Sequence, residues 1–428
     1  MAGAGRRVAG DHCRTVHALT DRRPSLDPRV EVEAWAASGA MALTGRPDGE
    51  PLGPPARLVT RLAGLGEEVA RAARALGGDL DVDPLGILGE RAAIAGLHRR
   101  GSTSVGGATR LLAAHDGWIA VSLARPDDVA LVPAWLGFDG PPEDPWRAIS
   151  AAVSRRSSHE VVAGGRLLGL PVARLREARP PGGTPRAPVV RRSLGSAPPT
   201  AALAGRLVVE LGSLWAAPLC GSLLAAAGAR VVKVESTDRP DGARRGPSRF
   251  FDLLNAGKQS AAVDLSTATG REALVRLLVD ADVVIEASRP RALEHLGARA
   301  HELVTGRGPS VWLSITGHGR HEPQRDWVAF GDDAAVAGGL VVEDERGPVF
   351  CADAVADPIT GVVAAGAVLE ALHEGGRWLL DVALSAVAAS LAGPTLVVDG
   401  RMEVAPPRAR AVTASGPRLG EHSSELGC

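Results

Sequence analysis

The strongest constraint on the fold is an alternation of short apolar runs with helical stretches between residues 207 and 317. The runs are LVVEL (207–211), RVVKVE (230–235), DVVIEA (282–287) and VWLSITG (311–317). Each run is rich in β-branched residues and too short to be a buried helix. A strand, a connecting helix and a second strand form a βαβ unit, whose strands are parallel. The sequence therefore predicts an α/β fold with a doubly wound, Rossmann-like parallel sheet.

The turn after the first run indicates which ligands this sheet does not bind. It reads GSLWAAP and contains neither GxGxxG nor a Walker A sequence. A standard dinucleotide pyrophosphate site needs glycines that let the backbone approach the phosphates. A ligand is still expected near the carboxyl ends of the strands, where doubly wound sheets bind their ligands.

Proline and glycine divide the chain into four parts. We expect an N-terminal tail over 1–30 and a Pro/Arg-rich linker over 179–202, because prolines are excluded from helix interiors and central strands. Residues 31–178 mix helical and strand patterns, which predicts a smaller α+β domain. Residues 203–428 contain the βαβ alternation and form the large α/β domain.

Charge and cysteine content exclude several classes of protein. The net charge of −1, from 48 Lys+Arg and 49 Asp+Glu, lacks the basic excess of a general nucleic-acid binder. The four cysteines lie far apart and have neither metal-site nor disulfide spacing, which is typical of a cytoplasmic protein. No apolar run is long enough to predict a signal peptide or a membrane span. We predict no metal site and no membrane partner.

Two lysines, Lys233 and Lys258, stand among the 48 basic residues. Lys233 lies in a predicted strand and is interpreted as structural, pairing with a carboxylate at the end of the sheet. Lys258 lies in a loop segment, NAGKQS, where it is either a ligand contact or a solvated surface charge.

An ordered series of segments resembles the class III CoA-transferase (CaiB/BaiF) family, which also includes acyl-CoA racemases. The similar segments are the strand, turn and helix leading to VVKVE, then DLLNAGKQSAAVDL, ADVVIEASRPRALEHLG, SITGHGRHEP, GPVFCADAVADPITGVVAAGAVLEAL and the closing PRLGEHSSEL. Together they cover most of 203–395 and the last dozen residues. The resemblance implies the α/β fold of that family.

The region before the linker resembles a later part of the same family. HRRGSTSVGG with the following DGW strand is similar to the family's small domain, and residues 37–76 are similar to the catalytic segment. Aligning Gly64 with Gly361 places Thr60 at the position of Asp357, so this first copy has no carboxylate there. We interpret the chain as a rearranged or fused, partly degenerate member of the family, since diverged internal similarity indicates duplication.

The resemblance implies an enzyme that transfers CoA from an acyl-CoA to a carboxylic acid. The family's D-x-x-x-G sequence matches Asp357 and Gly361, which makes Asp357 the expected nucleophile. It would form a mixed anhydride and then an aspartyl-CoA thioester. Gly338 and Gly339 are candidates for backbone N–H donors to a developing oxyanion. CoA is then a substrate, no cofactor is permanently bound, and a homodimer is expected.

The family's motif positions also predict contacts with CoA. Leu214 and Ala216 lie in the turn that would line the CoA site. Arg244, Arg245 and Lys258 are the cations at matching positions, and phosphate groups need such cations.

Three alternatives remain open from the sequence. Asp357 precedes a proline, so it is also a good N-cap for the following helix. The altered CoA segments and Thr60 favour a non-catalytic CoA-binding or partner-binding relative. The third alternative, an acyl-CoA racemase, is disfavoured because Phe330 occupies the position of the family's histidine and cannot carry a proton.

Overall fold

The computed structural model describes residues 13–16, 27–179, 186–398, 400 and 402–428. Most of the predicted N-terminal tail and residues 180–185 of the predicted linker lie outside these ranges. Within them, no helix is both long enough and apolar enough to cross a membrane.

The strands, in chain order, are β1 Cys13–Val16, β2 Thr109–Ala114, β3 Gly117–Ser122, β4 Val172–Arg174, β5 Val189–Gly195, β6 Leu207–Leu211, β7 Arg230–Ser236, β8 Gln259–Val263, β9 Val283–Glu286, β10 Val311–Thr316, β11 Val341–Asp344, β12 Gly347–Phe350 and β13 Arg377–Ala383.

The α-helices are α1 Pro28–Ser38, α2 Leu58–Ala75, α3 Pro84–Ile87, α4 Glu90–Ala95, α5 Pro126–Ala130, α6 Val132–Leu136, α7 Pro145–Val153, α8 Ser158–Leu167, α9 Ala216–Ala226, α10 Ser248–Asn255, α11 Ala268–Asp280, α12 Pro290–His295, α13 Ala300–Thr305, α14 Gly331–Gly338, α15 Ala356–Glu374 and α16 Leu384–Leu391.

The described residues form a large mixed sheet in the order β1-β5-β13-β10-β9-β6-β7-β8. The six strands from β13 to β8 are parallel to their neighbours, and β5 and β1 run antiparallel at one edge. The predicted doubly wound α/β fold is therefore confirmed. The four predicted strands are β6, β7, β9 and β10, and their side chains are buried on both faces, as parallel strands require.

The predicted linker contains a strand that the sequence reasoning missed. Residues Val189–Gly195 form β5 and pair with β13 and β1, so the linker interpretation is wrong for this stretch. Prolines are still excluded from the strand itself, because Pro188 and Pro198 flank it. β1 likewise places part of the predicted N-terminal tail at the edge of the sheet.

The region before the linker consists of two parts, one that shares the core of the large domain and one with its own core. Helix α2 lies along α15, and both contribute to one hydrophobic cluster that also includes α9 and the sheet. Residues 109–178 form a smaller unit, in which the sheet β2-β3-β4 encloses a separate cluster with α6, α7 and α8. The predicted small α+β region is thus the later part of 31–178, and its earlier part shares the main core.

A buried ion network holds the carboxyl ends of β6 and β7. Lys233 Nζ lies 3.2 Å from Glu210 Oε1 and 2.9 Å from Asp241 Oδ2, and it donates to the Gly212 carbonyl at 2.8 Å. Burial opposes the charge of Lys233, but Glu210 and Asp241 raise its pKa. The prediction that Lys233 is structural and pairs with a carboxylate is confirmed.

The second lysine shares the same carboxylate. Lys258 Nζ donates to Glu210 Oε2 at 2.7 Å, to the Pro218 carbonyl at 2.8 Å and to Asn255 Oδ1 at 3.1 Å. Burial lowers the pKa of Lys258 to about 8. Glu210 therefore bridges both lysines of the chain, and a buried charge of this kind is tolerated only when it is paired.

We expect Glu210→Gln to lower the free energy of unfolding by about 3 kcal/mol, because it leaves two buried ammonium groups without their shared counter-charge. Urea unfolding followed by tryptophan fluorescence measures this change. The control is Glu302→Gln, which removes an exposed ion pair with Arg299 and is expected to cost less than about 1 kcal/mol. Equal losses in the two variants would contradict the bridging role.

Candidate active site

Asp357 lies in the first turn of α15, but it does not cap the helix. The helix begins at Ala356, its N-cap residue is Val355, and no side chain caps it. The carboxyl group of Asp357 instead accepts a hydrogen bond from the backbone N–H of Gly331. The N-cap interpretation is therefore wrong, and the carboxylate points toward the start of α14.

The backbone is strained immediately before Asp357. Ala352 and Ala354 have φ values of 51° and 44°, in the left-handed region that favours glycine. Ala352 N–H donates to Thr44 Oγ1 at 3.0 Å, and Ala354 N–H donates to the carboxylate of Asp332. The Ala354 carbonyl accepts the N–H of Asp357 at 2.8 Å. Strain of this kind persists only where surrounding contacts hold it, and it concentrates at functional sites.

Arg91, from α4 in the region before the linker, pairs with the carboxylate between the two strained alanines. Its Nε donates to Asp353 Oδ2 at 2.8 Å and its Nη2 donates to Asp353 Oδ1. Asp353 is fully buried. Burial opposes the charge of Arg91, but Asp353, Asp332 and Asp357 raise its pKa. The two halves of the chain thus meet at this ion pair.

Burial raises the pKa of Asp357 to about 7. Asp332 and Asp353 act in the same direction, while Arg91 and the N–H of Gly331 oppose the shift. Burial also raises the pKa of Asp332 to about 6, with Asp353 adding to the effect. Asp357 itself is half-buried, so part of it is open to solvent. The site therefore contains a carboxylate that is more basic than usual.

Gly331 leaves space for this carboxylate. A Cβ atom at Gly331 would lie 2.7 Å from Asp357 Oδ2 and 2.4 Å from the Ala354 carbonyl oxygen. Both separations are shorter than van der Waals contact, so only glycine fits between the turn and the helix.

The turn after β6 reaches the same site. Leu214 has φ 68°, and its N–H donates to Asp241 Oδ1 at 2.9 Å. Ala216 begins α9, and its carbonyl oxygen would lie 2.7 Å from a Cβ at Gly361, so α9 and α15 touch there. Between them, the buried Trp215 ring has the Arg91 guanidinium 5.4 Å from its centroid. Ala216 therefore packs against the helix that carries Asp357, Leu214 lies beside Asp241, and the contact of both residues with CoA stays a prediction.

Two of the expected phosphate-binding cations are already engaged inside the protein. The three hydrogen bonds of Lys258 go to buried partners, and its side chain is fully buried. Arg244 pairs with Glu235 through Nε and Nη2, and its Nη1 donates to the Pro417 carbonyl. All three N–H donors of Lys258 are used, which argues against its contact with a CoA phosphate. Arg244 uses three of its five N–H donors, so its contact with CoA stays a prediction. Arg245 is exposed and stays a candidate.

Gly338 and Gly339 do not reach Asp357. They lie at the carboxyl end of α14, whereas Asp357 contacts Gly331 at its amino end. The Gly339 N–H already donates to the Val336 carbonyl at 3.0 Å. These two glycines therefore lie away from Asp357, and the N–H that reaches its carboxyl group is that of Gly331.

The corresponding helix before the linker carries no comparable carboxylate. Thr60 lies in the first turn of α2, and its N–H donates to Glu31 Oε1 at 3.0 Å. Val59 N–H donates to Glu31 Oε2 at 3.1 Å. Glu31 is buried and serves as a cap for α2.

Arg91 is the site residue that sequence reasoning missed. It lies in a six-residue helix and is surrounded by no recognisable motif. With 48 basic residues of which two are lysines, a single arginine carries no signal. Only the fold shows that Arg91 meets Asp353.

Comparisons with known proteins identify the family of the chain. The CoA-transferase family III profile matches residues 203–418, about half of the chain. The chain belongs to this family. Its matched region includes α15 with Asp357, α14 and the turn after β6.

The chain is similar to several curated and solved proteins. The succinyl-CoA–D-citramalate CoA-transferase of Chloroflexus aurantiacus is 32% identical over 180 residues, covering 40% of this chain and 45% of that protein. The succinate–glutarate CoA-transferase of Agrobacterium fabrum is 31% identical over 204 residues, covering 42% and 50%. A CaiB/BaiF family protein from Brucella suis superimposes with a TM-score of 0.39 at 30% identity, covering 44% and 54%. The chain spans about half the length of the curated relatives it matches.

We expect Arg91→Met to raise the pKa of Asp357 above its value of about 7, because Arg91 is the positive charge that lowers it. A ¹³C NMR titration of the aspartate carboxyl groups measures the shift, and Asp357→Asn assigns the resonance. Arg91→Lys keeps the charge without the paired geometry, so its shift is expected to be smaller. Arg147→Met, at an exposed arginine, is expected to change nothing. An unchanged or lowered pKa in Arg91→Met would show that Arg91 does not act on Asp357.

Proposed function

We propose that this protein transfers CoA from an acyl-CoA to a carboxylic acid, with Asp357 as the nucleophile. The observation that supports this most is the state of the Asp357 carboxylate. It does not cap α15, it forms no ion pair with any described residue, and burial raises its pKa to about 7. A carboxylate held in place without a structural task fits a covalent role.

The reaction begins with attack of Asp357 on the thioester carbonyl. A C–O bond forms between Asp357 and the acyl group, the C–S bond breaks, and CoA leaves as a thiolate. The product on the enzyme is a mixed anhydride, and the negative charge has moved from Asp357 to sulfur. A more basic carboxylate is a better nucleophile, and a pKa of about 7 leaves about half of Asp357 ionised at neutral pH.

The second half of the reaction returns the negative charge from the thiolate to a carboxylate. The CoA thiolate attacks the Asp357 carbonyl of the anhydride, which releases the first acid and leaves an aspartyl-CoA thioester. A new acid attacks this thioester to form a second anhydride and free the thiolate. The thiolate then attacks the new acyl carbonyl, which gives the new acyl-CoA and regenerates Asp357. No net proton transfer is required at any step.

Gly331 and Arg91 support this chemistry in different ways. The N–H of Gly331 holds the Asp357 carboxyl group at the start of α14, where the unpaired N–H groups of the helix favour negative charge. Arg91 pairs with Asp353 and so reduces the repulsion that this carboxylate exerts on Asp357. Both residues therefore act on the carboxylate of Asp357, which loses its negative charge when it attacks and regains it at the end of the cycle.

The racemase alternative receives no support from the residues beside Asp357. Phe330 is the N-cap residue of α14 and directly precedes Gly331. Its position is that of the family's histidine, and its ring cannot exchange a proton.

A non-catalytic CoA-binding or partner-binding relative is the second candidate. The internal engagement of Lys258 favours it, because all three of its donors already have partners inside the protein. It gives no reason for a free carboxylate at Asp357, and the experiment below separates the two functions.

For the substrates, we propose CoA thioesters and free small carboxylic acids. The names of the two relatives suggest succinyl-CoA as the first donor to test. We further propose that the protein acts in the cytoplasm and assembles as a homodimer.

We expect incubation with a substrate acyl-CoA followed by hydroxylamine to convert Asp357 to a hydroxamate, because both the anhydride and the aspartyl thioester react with this nucleophile. Peptide mass spectrometry locates the adduct. Asp357→Asn is expected to lose the adduct and to lower the rate of CoA transfer by about 10³-fold or more.

The matched control is Asp282→Asn. Asp282 lies just before the amino end of β9, whereas the site lies at the carboxyl ends of the strands. It is expected to keep both the adduct and the transfer rate. CoA binding without any adduct at Asp357, across a panel of donors, would favour the non-catalytic function instead.

A further inference from the structure

Three buried hydroxyl side chains of the region before the linker lie against the amino end of α14. They are Ser104, which precedes β2, Thr109 at the start of β2, and Ser122 at the end of β3. Thr109 and Ser122 occupy opposite positions in the register of the β2–β3 pair. We call these three residues the hydroxyl cluster.

The hydrogen bonds of the hydroxyl cluster all point toward α14. Ser122 Oγ donates its hydrogen to Asp333 Oδ1 at 2.8 Å, so Thr109 Oγ1 is the donor in its own 2.8 Å bond to Ser122. Ser104 Oγ accepts the Thr109 N–H at 3.2 Å and donates to the carboxylate of Asp332. The cluster therefore directs two hydroxyl donors at two consecutive carboxylates, and Thr109 connects the two serines.

Asp332 extends this contact to the candidate nucleophile. Its carboxylate accepts the Ser104 hydroxyl and also the N–H of Ala354, one of the two left-handed alanines before α15. The Ala354 carbonyl in turn accepts the N–H of Asp357 at 2.8 Å. Asp332 also directly follows Gly331, whose N–H holds the Asp357 carboxyl group. Asp332 is therefore bonded to the turn that precedes Asp357 and lies next to the residue that holds its carboxyl group.

The donors that reach Asp332 stabilise its negative charge without cancelling it, because both are uncharged, a hydroxyl and a backbone N–H. The charged groups that face it are, in chain order, Arg91, Asp333, Asp353 and Asp357. Burial, followed by the charge of Asp353, raises the pKa of Asp332 to about 6, so Asp332 is mostly ionised at neutral pH. Its negative charge then raises the pKa of Asp357, because like charges disfavour ionisation.

We propose that Asp332 is a positioning residue for CoA transfer, and that the hydroxyl cluster holds it as a negative charge against the turn before Asp357. The assignment rests on the proposed function of Asp357 as the nucleophile. Asp332 acts through the Ala354 backbone and through its charge, and it does not touch the reacting atoms. The region before the linker then supports the nucleophile at a second place, in addition to Arg91.

The pKa of Asp357 tests this proposal without relying on turnover, by ¹³C NMR titration of the full chain. Asp332→Asn keeps an oxygen acceptor for the Ala354 N–H but removes the charge, so the pKa of Asp357 is expected to fall below its value of about 7. Ser104→Ala removes a donor that lowers the pKa of Asp332. The pKa of Asp332 is then expected to rise, and that of Asp357 to fall by less than in Asp332→Asn.

A double variant tests the route of this effect. Because Ser104 acts through Asp332, adding Ser104→Ala to Asp332→Asn is expected to change the pKa of Asp357 no further. The control is Ser310→Ala, which removes a hydroxyl just before the amino end of β10 and is expected to leave the pKa of Asp357 unchanged.

Transfer kinetics distinguish a positioning role from a merely structural one. Asp332→Asn is expected to lower kcat by about tenfold or more and to leave the KM for acyl-CoA unchanged. The acidic limb of its kcat pH profile is expected to move to lower pH, because it follows the pKa of Asp357. Loss of folded protein alone would lower activity at every pH without moving this limb.

Two results would overturn the positioning role of Asp332. The first is an unchanged pKa of Asp357 in both Ser104→Ala and Asp332→Asn, and the second is additive shifts in the double variant. Shifted pKa values in a chain that transfers no CoA would instead contradict the proposed function, so the two failures are distinguishable.

Discussion

The ion pair between Arg91 and Asp353 is the interaction on which the site depends. Asp353 is fully buried, and a buried carboxylate is tolerated only with a partner. Its partner comes from α4, about 260 residues earlier in the chain. Loss of Arg91 would leave the buried Asp353 carboxylate without this partner, and Asp357 follows directly from the turn that carries Asp353. The pair thus couples the region before the linker to the candidate nucleophile.

Around this pair, several strained or close-fitting features converge on one carboxylate. Ala352 and Ala354 adopt left-handed conformations, and Thr44 and Asp332 hold their N–H groups. Such conformations cost free energy and persist only when neighbouring contacts determine them. Together with the absence of a side chain at Gly331, they place Asp357 at the start of α15 in a setting that raises its pKa.

The sequence predicted the parts of the fold that have a strong local pattern. The strands β6, β7, β9 and β10 follow from short apolar runs separated by helical stretches. β5 was missed, because five-to-seven-residue strands between prolines are difficult to distinguish from a linker. Its pairing with β13 depends on a contact that is distant in sequence.

At the site, too, residues in a local sequence pattern were predicted, whereas contacts between distant residues were not. Asp357 was predicted because it lies in an ordered series of family segments, and the structure packs Ala216 of the predicted turn against the helix that carries it. Lys258 was predicted as a phosphate contact because a sequence shows a charge but not its burial against Glu210. Arg91 was missed because its pairing with Asp353 forms only in the folded chain.

The most direct test of the central claim is the path of a carboxyl oxygen during turnover. A carboxylate nucleophile that passes through two anhydrides receives one oxygen atom from the incoming acid. With an ¹⁸O-labelled acid and repeated turnover, peptide mass spectrometry is predicted to find ¹⁸O in the side chain of Asp357, with none in Asp332 or Asp353. Turnover that leaves Asp357 unlabelled, or that labels another carboxylate, would contradict the assignment of Asp357 as the nucleophile.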